Sequence, residues 1–170
     1  MESGKSSANV THRSLRFELT DRDVEAVRRI TESTGFFSRA EIDVAVELAI
    51  DRRQKGASSD YHFIVADAAG RAVAYASFGR IACTTASFDL YWLVVEKQAQ
   101  GAGWGRKLLA EAEEQVRKLG GNRVYVETSN RAQYAPTRAF YERCDYRIEA
   151  ILPDFYAPGD DKVVYIKLLD

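Results

Sequence analysis

The chain has 170 residues, with 24 Lys and Arg against 25 Asp and Glu and a formal net charge of −1. That length suits one domain, and a composition of 46% hydrophobic and 29% charged residues excludes whole-chain disorder and fibrous repeats. The balanced charge offers no electrostatic attraction to nucleic acid or to an anionic membrane, so neither is an expected partner.

Residues 1–14 are small and polar and read as a tail. A first strand is expected over Arg16 to Leu19. Thr20 and Asp23 form a variant capping box for a first helix, whose apolar face is Val24, Val27 and Ile30. Ser38 and Glu41 form a second box, followed by Ile42, Val46, Ala49 and Ile50 at helical spacing. Three strands follow, over Tyr61 to Ala66, Arg71 to Ile81 and Ala86 to Val95, and their short connections predict antiparallel pairing. A helix from Trp104 to Leu119 turns Leu108, Leu109, Ala112, Val116 and Leu119 inward. Lys107–Glu111, Glu113–Arg117 and Glu114–Lys118 fall four apart on its expected wet face. Then come a strand over Arg123 to Thr128, a short helix opened by Pro136 and running to about Arg143, and two strands, Tyr146 to Leu152 and Val163 to Leu168, around a Pro-Gly-Asp-Asp turn. No repeat or linker interrupts this order, which predicts one α/β domain over 15–170.

Between the third strand and its helix lies Val94-Val95-Glu96-Lys97-Gln98-Ala99-Gln100-Gly101-Ala102-Gly103-Trp104-Gly105-Arg106. Three glycines at alternate positions let backbone approach a ligand, and the helix start offers unpaired N–H groups. That combination is a phosphate site on physical grounds, with Arg106 and Lys107 adding charge. The dinucleotide fingerprint requires glycine where Arg106 stands, although Glu127 falls near the place of its ribose-binding acid. The nucleotide P-loop spacing and hydroxyl are absent. A tight turn without a ligand is the bland alternative.

Gln100-Gly101-Ala102-Gly103-Trp104-Gly105 resembles the Arg/Gln-x-x-Gly-x-Gly/Ala signature of the GNAT N-acetyltransferases. Thr137-Arg138-Ala139-Phe140-Tyr141-Glu142-Arg143-Cys144-Asp145-Tyr146 is similar to the Ala-x-x-x-Tyr-x-x-x-Gly-Phe segment that many members carry after the fifth strand. The resemblance implies a mixed, mostly antiparallel sheet with flanking helices and splayed central strands. It also implies acetyl-CoA as donor. Backbone N–H groups of Gln100, Gly101, Ala102, Gly103, Trp104, Gly105 and Arg106 would then bind its pyrophosphate, and the backbone of Val94 and Val95 would pair with its pantetheine arm. Two positions depart from the pattern: Asp145 stands where the family has glycine, and Tyr134 where many members have asparagine, with Asn130 off register.

Acetyl transfer to an amine requires a proton acceptor, because a lysine-like amine of pKa about 10.4 is charged at pH 7. It also requires a proton for the departing thiolate. Tyr141, at the family's tyrosine position, is the expected acid. Glu127 is the first candidate base, since some branches of the family place a glutamate on this strand; Asp89, in an otherwise apolar strand, is its rival. Asp154, Phe155 and Tyr156, with Asp160 and Asp161 beyond them, sit where the family's acceptor loop would fall, and suit an ammonium group with a carbon stem.

The expected function is direct acetyl transfer to an amine of a small molecule or peptide. The alternatives are an idle acyl-CoA-binding sensor and, more weakly, a nucleotide-binding enzyme. Cys83 and Cys144 are too few for a disulfide framework or a zinc finger, and His12 and His62 suggest no metal cluster. The apolar runs fall well short of the ~20 residues that span a bilayer, and the start lacks a signal-peptide core. A soluble cytoplasmic protein is the expectation, and the apolar last strands would permit a homodimer.

Overall fold

In the computed structural model, which describes residues 13–170, seven strands form one sheet. Arg13–Arg16 (β1) is followed by helices Asp21–Thr34 (α1) and Arg39–Lys55 (α2). Strands His62–Ala68 (β2), Arg71–Arg80 (β3) and Ser87–Val95 (β4) lead to helix Trp104–Lys118 (α3). Strand Arg123–Ser129 (β5), helix Ala135–Glu142 (α4) and strands Arg147–Ala157 (β6) and Asp160–Leu168 (β7) complete the chain. The strand order is β1-β2-β3-β4-β5-β7-β6, and every neighbour pair is antiparallel except β4 with β5.

Both predicted capping boxes form. The Thr20 N–H donates to Asp23 at 2.7 Å, and the Ser38 N–H donates to Glu41 at 2.7 Å. Gly35, at φ 70, ends α1 in the left-handed conformation that glycine adopts without strain.

Alternation along β2 and β3 divides the core. Ile64, Ala66, Ala76 and Phe78 pack with Leu108, Leu109, Ala112 and Val116 of α3. Phe63, Val65 and Tyr75 pack with Val27 and Ile30 of α1 and with Ala45, Val46 and Ala49 of α2. The Tyr75 hydroxyl is satisfied by Thr31 at 2.7 Å, so its burial leaves no orphan polar group there.

Several expectations are corrected. The first strand is Arg13–Arg16 rather than Arg16 to Leu19, because its backbone pairs with Val65 to Ala68; Leu19 instead buries its side chain just ahead of α1. Arg13 and Ser14 therefore belong to the sheet, while the rest of the expected tail, with His12, lies outside the described residues. Ile50 and Leu119 are exposed, and Ala45 takes a core place on α2. Glu113 is buried rather than on the wet face, and it pairs with Lys167 of β7 at 2.9 Å instead of Arg117. β6 runs on to Ala157 and β7 starts at Asp160, so most of the supposed loop is hairpin. The Asp154 carboxylate accepts from the Gly159 N–H at 2.6 Å and Asp161 accepts from the Asp154 N–H at 2.9 Å, which holds that hairpin closed.

Candidate active site

The central parallel pair is short. β4 and β5 are in register only from Ser87↔Arg123 to Asp89↔Tyr125. Beyond that point β4 continues to Val95 with β3 on one side, and β5 continues to Ser129 with β7 on its other side. From Leu90 onward the two strands therefore have facing edges that do not pair with each other. This is the splay implied by the resemblance. It opens a cleft of about 350 Å³ between Leu90–Val95 and Val126–Ser129. Unpaired strand edges carry backbone donors and acceptors, so the cleft suits a ligand that hydrogen-bonds like an extended chain.

The glycine loop closes one end. Gly101 and Gly103 have φ values of 79 and 84, and the space where a Cβ would stand is open at both. Gly103 is the N-cap of α3, and the first intrahelical bond runs from the Lys107 N–H to the Gly103 carbonyl at 3.1 Å. The N–H groups of Trp104, Gly105 and Arg106 precede that bond and have no intrahelical acceptor. A diphosphate fits this arrangement: bare amides, the positive end of a 15-residue helix, and Arg106 and Lys107 at the surface. Trp104 itself is buried, with Arg13 at 4.9 Å from its ring centroid. Gln100 turns its side-chain amide back to the Val95 carbonyl at 3.2 Å, tying the loop to the strand end.

A buried ion cluster anchors the same corner, and no local pattern in the sequence indicates it. Glu96 directly follows β4 and is 5% exposed. Arg71 binds both of its oxygens, at 2.9 and 2.6 Å, and Arg29 of α1 also pairs with it. The hydrogen bonds from Arg71 hold the Glu96 carboxyl below its ordinary range, against the effect of burial.

The candidate catalytic groups lie around the splay. Tyr141 of α4 is buried against Phe140, Tyr146 and Tyr165 and lines the cleft. Burial pushes its hydroxyl far above the usual tyrosine range, with a smaller contribution from Cys144. Asp145 adopts φ 67, so it takes the left-handed turn that glycine would serve. Asp89 stands at the last paired position, where the strands part. Burial raises its pKa to about 6, the Glu127 carboxylate adds to the shift, and Lys162 opposes it. Glu127 lines the cleft but is joined to Lys162 at 2.7 Å.

The hairpin acids are occupied. Asp160 accepts from Ser129 and pairs with Arg131 at 3.1 Å, and Asp161 exchanges hydrogen bonds with Asn130. Asp160 and Tyr156 line the cleft, whereas Phe155 meets Tyr156 edge-to-face and lies under Lys162. Tyr134 also lines it, and Arg138 braces the chain ahead of α4 through the Ser129 and Arg131 carbonyls. Phe36, Phe37, Tyr91 and Trp92 complete an aromatic wall that sequence reasoning missed. The one available signal was Phe36, an apolar ring beside the helix-ending glycine, since Phe37 before the capping serine has an ordinary packing place.

Among the described residues no group of three or more His, Cys, Asp and Glu side chains is placed to hold a metal ion, and no described helix is long and apolar enough to cross a membrane.

Comparison with known proteins agrees with this architecture. Residues 59–148 match the acetyltransferase (GNAT) domain model. The crystal structure of a protein assigned to the GNAT acetyltransferase family from Desulfovibrio desulfuricans superposes with a TM-score of 0.91 at 42% identity, covering 94% of this chain and 100% of that one. Blasticidin-S acetyltransferase of Streptomyces morookaense is 40% identical over 82 residues, 48% of this chain and 55% of that protein. An uncharacterized N-acetyltransferase of Bacillus subtilis is 29% identical over 73 residues, 43% of this chain and 46% of that protein. The chain thus spans about half the length of the curated relatives it matches. The matched domain takes in β4, the glycine loop, α3 and the tyrosine helix, and with it the chain belongs to the GNAT acetyltransferase family.

Proposed function

We propose that this chain is an acetyl-CoA-dependent N-acetyltransferase that moves the acetyl group directly to the amine of a small molecule or peptide. The observation that carries this reading is the parting of β4 from β5 beside a glycine-rich helix N-terminus. The two features meet the two ends of one ligand, amide-bearing pantetheine along the strand and diphosphate at the loop. Acetyl-CoA supplies an activated thioester, so the chain needs no nucleophile of its own.

The residues divide the remaining work. Backbone of Val94 and Val95 aligns the pantetheine arm, with Gln100 and Glu96 fixing where that strand ends. Asp89 is the favoured base. Asp89 stands where the strands part but does not line the cleft, so it takes the proton through water; a carboxylate with a pKa of about 6 is ionised at pH 7 yet basic enough to receive it. Glu127, which lines the cleft with one carboxylate oxygen held by Lys162, is the other candidate. It raises the basicity of Asp89 and so contributes at one remove.

Tyr141 remains protonated at all working pH values and donates a hydrogen bond to the sulfur as negative charge develops there. Complete proton transfer is uphill toward an ordinary thiolate of pKa about 8.5. The apolar surroundings that raise the tyrosine raise a thiol as well, which narrows the gap.

Incubation with acetyl-CoA and a panel of amines, read by released thiol, tests the proposal. Amine-dependent thiol release is expected. Binding of acetyl-CoA with no release across the panel would make the chain an idle acyl-CoA-binding module.

A further inference from the structure

The acceptor end of the cleft has a composition of its own. Phe36 and Phe37 project from the α1–α2 connection, Trp92 from β4, Tyr134 from the segment ahead of α4, and Tyr156 from the β6–β7 hairpin. Two ring pairs touch: Phe36 and Tyr134 at 5.9 Å between centroids, and Phe37 and Trp92, both packed against the α1–α2 core, at 5.1 Å. Phe36 and Tyr156 remain 36% and 48% exposed. Large aromatic surface left open in a concave site marks where an apolar ligand lies.

Charge narrows the class further. Glu41, Glu127 and Asp160 line the cleft, and Arg131 is the one cation among its lining residues. That arginine is committed to Asp160 and to the Tyr134 ring, and Lys162, which flanks the cleft, is committed to Glu127. The lining is net negative, but each of its three acids already has a partner, Glu41 in the capping box, Glu127 with Lys162 and Asp160 with Arg131, so no row of free acids is present to receive a polycation. At about 350 Å³ the cleft is at the small end of ligand sites, and it must also admit the thioester.

Resting on the transferase reading above, we propose that the acceptor is a small primary amine carried on an aromatic body, an arylalkylamine. Its ring lies among Phe36, Phe37, Trp92, Tyr134 and Tyr156, and its ammonium faces the Glu127 side, where aromatic faces and a carboxylate together favour one compact cation. The ammonium first gives one proton to the carboxylate side. The free amine nitrogen then bonds the acetyl carbon and loses a second proton as the carbon–sulfur bond breaks. The electron pair of that bond leaves on sulfur, which takes up one proton to depart as the thiol.

The test is a comparison of kcat/KM for phenethylamine, spermidine and kanamycin at saturating acetyl-CoA, with Phe36→Ala as the variant. Phenethylamine is expected to exceed both polycations by at least about tenfold, and Phe36→Ala to raise the KM for phenethylamine roughly tenfold. The KM for acetyl-CoA should stay within about twofold, which also reports that the variant is folded. Spermidine or kanamycin acetylated as well as phenethylamine, or an unchanged phenethylamine KM in Phe36→Ala, overturns the aromatic assignment and leaves the transferase standing. Acetyl-CoA binding without transfer to any amine overturns both.

Discussion

The two ends of the cleft are built in different ways. At the proposed donor end the groups are main-chain amides from one continuous segment, Val94 to Arg106, shaped by two glycines at positive φ. At the proposed acceptor end they are side chains from Phe36 to Tyr156, carried by the α1–α2 connection, β4, the segment ahead of α4 and the last hairpin. A site made of backbone tolerates side-chain change as long as the chain can bend. A site made of side chains is redefined by any one of its contributing loops. The donor end should therefore respond to backbone strain and the acceptor end to ring removal.

The chemistry lies between the two ends, and its loss is the largest expected effect. Asp89→Asn and Tyr141→Phe should each lower kcat about 100-fold while the affinity for CoA is retained, as expected when a proton acceptor or a charge-stabilising donor is removed. Wild-type activity should rise with pH through an acid limb centred near 6, and Asp89→Asn should abolish that limb. A limb that survives in Asp89→Asn and vanishes in Glu127→Gln would return the base to Glu127. The same aspartate should cost stability. Its folded pKa lies above its ordinary 3.8, so the unfolded chain releases that proton first, and stability declines as pH rises from about 4 to about 6. Asp89→Asn should consequently be more stable than wild type at pH 7 in denaturant titration, while nearly inactive.

Backbone strain comes next in size. Gly103→Val places a branched residue at φ 84, where it costs about 1–2 kcal/mol. Calorimetry should show CoA affinity falling about tenfold with the acceptor KM unaltered. Equal losses at both ends would mean that the loop and the aromatic wall are not independent.

The smallest effect is expected at Glu96. Glu96→Gln should lower stability by about 1 kcal/mol, since Arg29 and Arg71 can return to water. Hydrogen bonds from Arg71 depress the Glu96 carboxyl, so its contribution is present above the ordinary value of 4.5 and lost as pH falls below it. The difference between wild type and variant in thermal unfolding should shrink accordingly below pH 4.5.

The same contrast explains what was legible in advance. The capping boxes, the inward face of α3 apart from Leu119, and the glycine loop each declare themselves within a few residues, because periodicity and local backbone demands are short-range, whereas Tyr141 was indicated only by the resemblance. The splay was implied only by the resemblance. Nothing in the apolar run from Leu90 to Val95 states that pairing with β5 stops at Asp89. Glu113 was misplaced because its partner Lys167 is on the last strand, a long-range choice that outweighs the i,i+4 pairing with Arg117. The preference between Asp89 and Glu127 also turns on a tertiary contact, the reach of Lys162 across from β7. The hairpin acids looked free in a supposed loop. In the fold, Asp154 and Asp161 each spend one oxygen on the turn itself, and the other oxygen of Asp161 takes the Asn130 amide.

Acetyl transfer by this chain depends on β4 and the α3 N-terminus receiving one thioester carrier. Titration calorimetry of the protein with CoA addresses this directly. A saturable heat with one site per chain, weakened in Gly103→Val and unaffected in Phe36→Ala, is the predicted result. No heat of association at millimolar CoA would contradict it.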